Sequence, residues 1–165
     1  MNTIMQPADL ARQENSRALE GRVAIVTGST SGNGLGIAQA LAAQGAMIVL
    51  NGFGEAIEIE KLCRVLGARH DVAVRYDSAD MSDPAAITDM VDRTERVFGP
   101  VDILVNNAGI QYVAPIEALP PGKWDAIIAI NLSTLFHATR AVIEGMKARG
   151  WGRILNGASA HGLIG

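Results

Sequence analysis

Short apolar runs alternate with longer amphipathic segments along most of this chain. The run 22–28, RVAIVTG, is apolar and ends in glycine, which is typical of a buried strand that enters a turn. The segment 35–45 has apolar residues at helical spacing and ends at a glycine stop. The same alternation continues through the chain. It predicts strands over 22–28, 46–52, 71–77, 101–109 and 152–159, and helices over 35–45, 55–70, 83–99 and 123–150, the last as one long helix or two consecutive ones.

This order of elements predicts an α/β fold. Short apolar strands that alternate with helices form βαβ units around a parallel sheet, and right-handed crossovers place helices on both faces. We therefore expect a Rossmann-like, doubly wound parallel sheet with strand order 3-2-1-4-5. Ligands of such sheets bind beyond the carboxyl ends of the strands. The glycine-rich segments of this sequence all follow strands, so they are expected to converge at that edge.

The composition is that of a globular domain, with 48% hydrophobic and 19% charged residues. The net charge of -3 is spread along the chain without a basic block, which argues against nucleic acid or an anionic membrane as the main partner. Cys63 is the single cysteine, so no internal disulfide can form, and a reducing, cytoplasmic setting is expected. No metal site is predicted.

The first 18 residues are expected to form a polar, poorly ordered lead-in to one dinucleotide-binding domain over 19–165. They contain no apolar core of the length that a signal peptide has. We also expect no run that is long and apolar enough to span a membrane.

The candidate chemistry begins with the segment 27–36, TGSTSGNGLG, between the first predicted strand and the first predicted helix. Gly28 permits a tight turn, and Gly32 and Gly34 allow the backbone to approach a pyrophosphate closely. The free N–H groups and the dipole of the following helix then favour the phosphates. The alternative is a simple connection between a strand and a helix.

The spacing Gly-x-x-x-Gly-x-Gly in this loop resembles that of the short-chain dehydrogenase/reductase family. NNAG at 106–109 is similar to the family's second signature, and Asn131 and Ser159 match its catalytic-site asparagine and serine. Asp80 matches the acid that contacts the adenine in this family. The resemblance covers residues 20–165 and implies an NAD-binding oxidoreductase that forms a homo-oligomer. The cofactor-binding residues that it implies are Gly28, Thr30, Ser31, Gly32, Asn33, Gly34, Asp80, Met81, Asn107, Ala108 and Gly109.

Within the family, the sequence is most similar to the subgroup that oxidises D-3-hydroxybutyrate to acetoacetate. The resemblance implies that Gln111 and His161 contact the carboxylate of a small hydroxy acid. The alternatives are a solvated loop amide for Gln111 and a loop histidine without a ligand for His161. The subgroup uses NAD and shares the uncharged segment 51–54, NGFG, after the second strand, so NAD is the expected cofactor.

Two features of the sequence depart from the family pattern. Asn33 stands where the family has isoleucine; asparagine tolerates the left-handed backbone, so the turn is expected to survive with the loss of an apolar contact. The family also needs a tyrosine followed four residues later by a lysine, whose charge lowers the tyrosine pKa from near 10. Tyr76 and Tyr112 are the only tyrosines, and neither has this lysine.

We therefore expect the domain to be incomplete, without the family's last strands and their helix, and the chain as given to be catalytically incompetent. Three interpretations remain open from the sequence. One is an NAD-dependent dehydrogenase represented by its N-terminal part. The second is a non-catalytic module that binds a dinucleotide or another protein. The third is an unstable truncation product without a function of its own.

Overall fold

The computed structural model describes residues 17–159 of this chain, so most of the predicted lead-in and His161 lie outside the described residues. Five strands form one sheet in the order β3-β2-β1-β4-β5, and every neighbouring pair is parallel. This confirms the predicted strand order and fold class. The strands are β1 (Val23–Val26), β2 (Met47–Asn51), β3 (Val74–Asp77), β4 (Ile103–Asn106) and β5 (Arg153–Asn156).

The helices follow the predicted order with two differences in detail. The first helix begins at Gly32 rather than at residue 35, because the glycine loop itself forms its first turn. The segment 123–150, predicted as one long helix or two consecutive ones, consists of two α-helices joined by a π-helical segment, Ala129–Ser133. Continuous apolar spacing predicts helix but does not distinguish the hydrogen-bond pattern within it. The α-helices are α1 (Gly32–Ala43), α2 (Ala56–His70), α3 (Pro84–Phe98), α4 (Pro121–Ile128) and α5 (Thr134–Ala148), with a 3₁₀ turn at Ile116–Ala118.

Apolar side chains at alternate positions of the central strands fill two cores, one on each face of the sheet. Ala24 and Val26 of β1 pack with residues of α1 and α2. Ile25 lies on the opposite face and packs with residues of α3 and α5. All residues of β1 are buried, as expected for a strand covered on both sides. The two cores cover both faces of the sheet beneath the loops that follow its strands.

Helix α3 begins and ends where its sequence indicates. The Asp83 carboxylate accepts a hydrogen bond from the Ala85 N–H at 2.9 Å, and Pro84 occupies the first helical position. Gly99 ends the helix with φ of 90°. The helix start thus lies directly after the segment that follows β3, which fixes that segment at the carboxyl edge of the sheet.

The segment Pro121–Ala148 is more apolar than the sequence analysis predicts. It is a helical run of 28 residues with a mean hydropathy of 1.5 in its most apolar window. By length and composition alone it could cross a membrane, so the expectation that no such run exists is wrong. The core helix of a soluble protein meets the same criterion, and α5 buries Ala138, Val142 and Met146 against the sheet. Only 17% of that apolar window is buried, so packing against the sheet accounts for a part of the apolar character.

Candidate functional site

The segments that follow β1, β2, β3 and β4 meet at the carboxyl edge of the sheet, as the parallel topology predicts. They enclose a cleft of about 280 Å³, which also reaches Ile130 of the π-helical segment. Of the predicted cofactor residues, Gly32, Asn33, Gly34 and Asn107 lie outside the lining of this cleft. Those that line it are Gly28, Thr30, Ser31, Asp80, Met81, Ala108 and Gly109.

The packing of the glycine loop requires glycine at two positions, Gly28 and Gly34, and a Cβ on Gly28 would lie 2.8 Å from Ala108 Cα. Gly28 and Gly32 have positive φ angles of +60° and +58°, which favour glycine. A Cβ on Gly34 would lie 2.3 Å from the Gly28 carbonyl oxygen and 2.4 Å from Asn107 Nδ2. Gly34 therefore allows the loop to pack against the turn after β4. The motif predicts that Gly34 allows a pyrophosphate to approach, but contacts within the protein already exclude a side chain there.

Asn33 does not use the left-handed conformation that the sequence analysis considered for it. It lies exposed in the first turn of α1, and Asp71 is the non-glycine residue with positive φ in the part of the chain that the structure describes. The start of α1 suits an anion. Ser31 precedes the helix without capping it through its side chain, and the first turn contains no acidic residue. The N–H groups of this turn are therefore available to a ligand with the favourable end of the helix dipole.

The turn after β4 is bound to the turn after β1 through Thr27 and Asn107. Thr27 Oγ1 accepts hydrogen bonds from the N–H groups of Asn107 and Ala108, both at 2.9 Å. Asn107 Nδ2 in turn donates to the carbonyls of Thr27 and Gly28 at 3.0 Å. Asn107 thus links the two turns through hydrogen bonds and does not line the cleft. The motif did not identify Thr27 as a site residue, although Thr27 stands directly before Gly28, the first glycine of the loop.

Asn51, at the end of β2, likewise links neighbouring segments through hydrogen bonds of its side-chain amide. Its Nδ2 donates to the carbonyls of Asp77 at 3.1 Å and Ala79 at 2.9 Å, which ties the segment after β3 to β2. Its Oδ1 accepts a bond from the Gly28 N–H at 3.4 Å. The sequence indicates only that position 51 is uncharged. A polar residue at the end of a buried strand was the available signal, because a buried amide requires hydrogen-bond partners.

Asp80 lies exposed at the rim of the cleft and is held by the residue two positions later. Its Oδ1 accepts hydrogen bonds from the Ser82 N–H at 2.8 Å and the Ser82 hydroxyl at 2.7 Å. These bonds, the backbone one first, lower the pKa of the Asp80 carboxyl. Asp80 is therefore a fixed, ionised acceptor at the position where the family resemblance predicts contact with an adenine.

Asn131 lies in the π-helical segment and binds the turn after β4 with both atoms of its amide. The Ile110 N–H donates to Asn131 Oδ1, and Asn131 Nδ2 donates to the Ile110 carbonyl, each at 2.9 Å. Gln111, the predicted substrate residue, follows this clamped position and is exposed. π-Helical insertions occur often at functional sites, where they alter which side chains a helix presents.

Thr134, at the start of α5, connects this segment to the cleft and was missed by the sequence analysis. Its buried hydroxyl is hydrogen-bonded to the carbonyl of Met81, which lines the cleft, and to the carbonyl of Ala129 at 3.1 Å. The π-helical segment and the loop after β3 are therefore held together at one side chain. The only indication of this role in the sequence is that Thr134 stands three residues after Asn131.

Ser159 follows β5 at the same edge of the sheet and is exposed. The strand is fixed beside β4 through the hydrogen bond from Asn106 Nδ2 to Asn156 Oδ1 at 2.9 Å. The Gly157 N–H also donates to the Asn106 carbonyl at 2.8 Å. The segments that carry Ser159 and Gln111 therefore follow neighbouring parallel strands at the same edge of the sheet.

The segment after β2 carries no basic residue, and its surroundings are acidic. A second cavity of about 230 Å³ lies against the cleft, and Thr30 and Phe53 line both. Glu55 and Glu58 contribute carboxylates to this second cavity. Within residues 17–159, no group of three or more His, Cys, Asp or Glu side chains could hold a metal ion.

A family profile described as short chain dehydrogenase matches residues 22–165. The chain is 57% identical over 146 residues to a D-beta-hydroxybutyrate dehydrogenase of Cupriavidus necator, which covers 88% of this chain and 56% of the relative. It is 51% identical over 143 residues to a protein of the same name from Rhizobium meliloti, which covers 87% of this chain and 55% of the relative. The chain thus spans about half the length of the curated relatives it matches.

The fold is also similar to solved structures. An L-sorbose reductase from Gluconobacter frateurii, solved with NADPH and L-sorbose, superimposes with a TM-score of 0.81 at 34% identity and covers 86% of this chain and 54% of that one. A metagenomic short-chain oxidoreductase in complex with NADP gives a TM-score of 0.78 at 33% identity, covering 84% and 62%.

Proposed function

The chain belongs to the short-chain dehydrogenase family, and we propose that it forms the dinucleotide-binding part of an NAD-dependent dehydrogenase that converts D-3-hydroxybutyrate to acetoacetate. The observation that carries the proposal is the cleft, where the glycine loop, the Asp80–Met81 segment and the turn 108–110 surround one space. The two bacterial relatives with the hydroxybutyrate name support the substrate.

The charges around the cleft favour NAD over NADP. A 2′-phosphate needs a cation, and the residues that line the cleft and the neighbouring cavity include no lysine or arginine. They do include Asp80, Glu55 and Glu58, which repel an additional phosphate. The two solved relatives described above carry NADPH and NADP, so a direct comparison of both dinucleotides is the appropriate test.

Bound NAD supplies the acceptor for the hydride that leaves C3 of the hydroxy acid. We assign the Ser159 hydroxyl to the reacting oxygen, and Gln111 and His161 to the carboxylate. Both amide atoms of Asn131 are bonded to Ile110, so its role is to hold the turn that presents Gln111. Together these residues would orient a small hydroxy acid beside the cleft.

The alcohol proton needs a base, and neither tyrosine of the sequence is suited to this task. Tyr76 donates its hydroxyl proton to the Gly52 carbonyl and is followed four residues later by Asp80. Tyr112 is followed four residues later by Ile116, so it lacks the lysine of the family pattern, and Lys123 lies over its ring at 5.7 Å. A positioned acid–base contributes about 10²–10⁴-fold to a rate. We therefore propose that these 165 residues alone give no measurable turnover.

Two measurements on the purified chain test this function. The first is calorimetric titration with NADH and with NADPH, in which we expect NADH to bind more tightly. The second is an overnight assay with NAD and D-3-hydroxybutyrate, in which we expect no NADH. Turnover that co-purifies with a monodisperse sample and is lost in Ser159→Ala would contradict the proposed incompetence.

The rival function is a non-catalytic module that binds a dinucleotide or another protein. It shares the expected NADH binding, so the discriminating observation is the coding sequence after codon 165. A Tyr-x-x-x-Lys motif encoded there, and activity of the longer product on D-3-hydroxybutyrate, would support the dehydrogenase. If that product is inactive while NADH binding persists, the rival function is correct.

A further inference from the structure

The loop after β2 is held from two sides by hydroxyl groups. Tyr76 of β3 donates its Oη proton to the Gly52 carbonyl at 2.6 Å. Thr30 of the glycine loop donates its Oγ1 proton to the carbonyl of the next residue, Phe53, at 2.8 Å. Two consecutive carbonyls are thus bonded to different elements, so the position of this short loop is determined by both neighbours.

The loop also has little space in which to move towards Thr30. Gly52 has φ of +146°, and a Cβ at this position would lie 2.8 Å from Thr30 Oγ1 and 3.3 Å from Thr30 Cγ2. The backbone of residue 52 therefore lies in close contact with the Thr30 side chain. A loop that packs this closely on one side is sensitive to the loss of the bond on the other side.

This loop separates the two cavities of the site. Gly52 and Phe53 line the main cleft, and Phe53 also lines the smaller cavity that contains Glu55 and Glu58. The Phe53 side chain is 79% exposed, so its position depends on the backbone rather than on packing around the ring. Whatever fixes the loop therefore also fixes the boundary between the cleft and the two carboxylates.

We propose that Tyr76 is a positioning residue that sets the discrimination between a ribose 2′-hydroxyl and a 2′-phosphate at the cleft. Tyr76 does not line the cleft, so it acts through the Gly52 carbonyl and the Phe53 loop. The proposal rests on the proposed function, in which the cleft binds a dinucleotide. A dinucleotide bound at the glycine loop would extend along the cleft lining towards Gly52 and Phe53.

The environment of Tyr76 keeps its hydroxyl in the donating form. Burial raises the pKa of Tyr76, and the charge of the neighbouring Asp77 raises it further. The hydroxyl is therefore protonated throughout the neutral range, and the bond to Gly52 persists there. Substitution by phenylalanine removes this donor and keeps the ring, which makes Tyr76→Phe a specific test.

The experiment compares the wild-type chain with Tyr76→Phe and with Tyr112→Phe, which removes the other tyrosine hydroxyl as a matched control. NADH and NADPH are titrated into each protein by calorimetry. Hydrogen exchange of the peptide that covers residues 50–55 is measured without ligand. Thermal denaturation checks the fold, and Thr30→Val, which releases the second anchor, is the alternative variant if Tyr76→Phe does not fold.

We expect Tyr76→Phe to weaken NADH binding about three- to tenfold, the change that the loss of one hydrogen bond gives. NADPH binding should change by less than about twofold, because the charges that oppose it remain. Exchange in 50–55 should become faster. Tyr112→Phe should leave both affinities and the exchange unchanged.

If the wild-type chain binds NADH, and Tyr76→Phe keeps the wild-type ratio of NADH affinity to NADPH affinity, the proposal is overturned while the proposed function stands. If the wild-type chain binds neither dinucleotide, the proposed function fails, and the discrimination assigned to Tyr76 fails with it. In that case the exchange measurement still tests whether Tyr76 anchors the loop. Faster exchange of residues 50–55 in Tyr76→Phe would show that it does, and unchanged exchange would show that it does not.

Discussion

Asn131 and Ile110 are joined by two reciprocal hydrogen bonds, so one side-chain amide replaces the backbone partner that the turn after β4 lacks. Donor and acceptor distances are both 2.9 Å. The asparagine lies in the π-helical segment between α4 and α5, and Gln111 follows the residue that it holds. The proposed substrate residue is therefore positioned by an element from a distant part of the sequence.

Asn131→Leu should release this turn. Leucine has a similar shape but neither donates nor accepts, so both bonds to Ile110 are lost. We expect the free energy of unfolding to fall by about 0.5–1.5 kcal/mol and the Ile110 amide to exchange faster. Ser133→Ala, in the same π-helical segment, is the control and should change stability by less than about 0.5 kcal/mol. Equal exchange of Ile110 in both variants would show that the clamp is not needed.

Gly34→Ala and Gly36→Ala should have opposite effects on stability. A Cβ at residue 34 meets the Gly28 carbonyl and Asn107, whereas a Cβ at residue 36 has no heavy atom within 4 Å. Gly34→Ala should therefore destabilise the chain by about 1–3 kcal/mol through overpacking. Gly36→Ala should stabilise it by about 0.5–1 kcal/mol, because alanine is the better helix residue. Urea denaturation measures both, and similar values for the two variants would refute the packing argument.

Thr134→Val should destabilise the chain without a change of shape at the core. The valine leaves the carbonyls of Met81 and Ala129 without the threonine hydroxyl. We expect a loss of about 1–3 kcal/mol, the cost of an unsatisfied buried polar group. Thr88→Val is the matched control, because its hydroxyl bonds the Pro84 carbonyl on an exposed helix surface. Urea denaturation that gives the same small loss for both variants would rule out a special role for Thr134.

The bond between Tyr76 and Gly52 should fail at alkaline pH. The pKa of Tyr76 is raised in the folded chain above the ordinary value of 10.0, so folding favours the protonated form. Its stabilising contribution is complete below about pH 10 and is lost as the pH rises through the folded pKa. The difference in unfolding free energy between wild type and Tyr76→Phe, measured from pH 8 upwards, should therefore be constant and then shrink. A difference that grows with pH would reverse the assigned direction.

The surface of the π-helical segment and α5 should promote self-association. Leu132 is 63% exposed and Phe136 is 62% exposed, and they lie one helical turn apart. Exposed apolar patches favour contact with other chains. The double variant Leu132→Ser/Phe136→Ser should reduce concentration-dependent association in sedimentation experiments. Val65→Ser/Val97→Ser, at exposed positions on α2 and α3, should not, and an equal effect of both pairs would refute a specific surface.

The glycine loop shows how far the sequence analysis reached into the site. The spacing of Gly28, Gly32 and Gly34 placed the loop correctly between β1 and α1 at the carboxyl edge. It did not reveal that Gly34 is required by contacts within the protein, because those contacts come from the turn after β4. Motif spacing identifies the residues of a site, but the reason for each one depends on neighbours that the motif does not contain.

The sequence by itself determined the order of strands and helices, the parallel sheet and the edge at which the glycine segments meet. Those properties follow from apolar periodicity, capping residues and chain connectivity, which are local. Only the tertiary structure decided which carbonyls Tyr76, Asn51 and Thr134 bind. Their partners lie 24, 26 and 53 residues away along the chain. The physical reason is that a buried hydroxyl or amide takes the partner that packing brings within about 3 Å, and no local pattern encodes that distance.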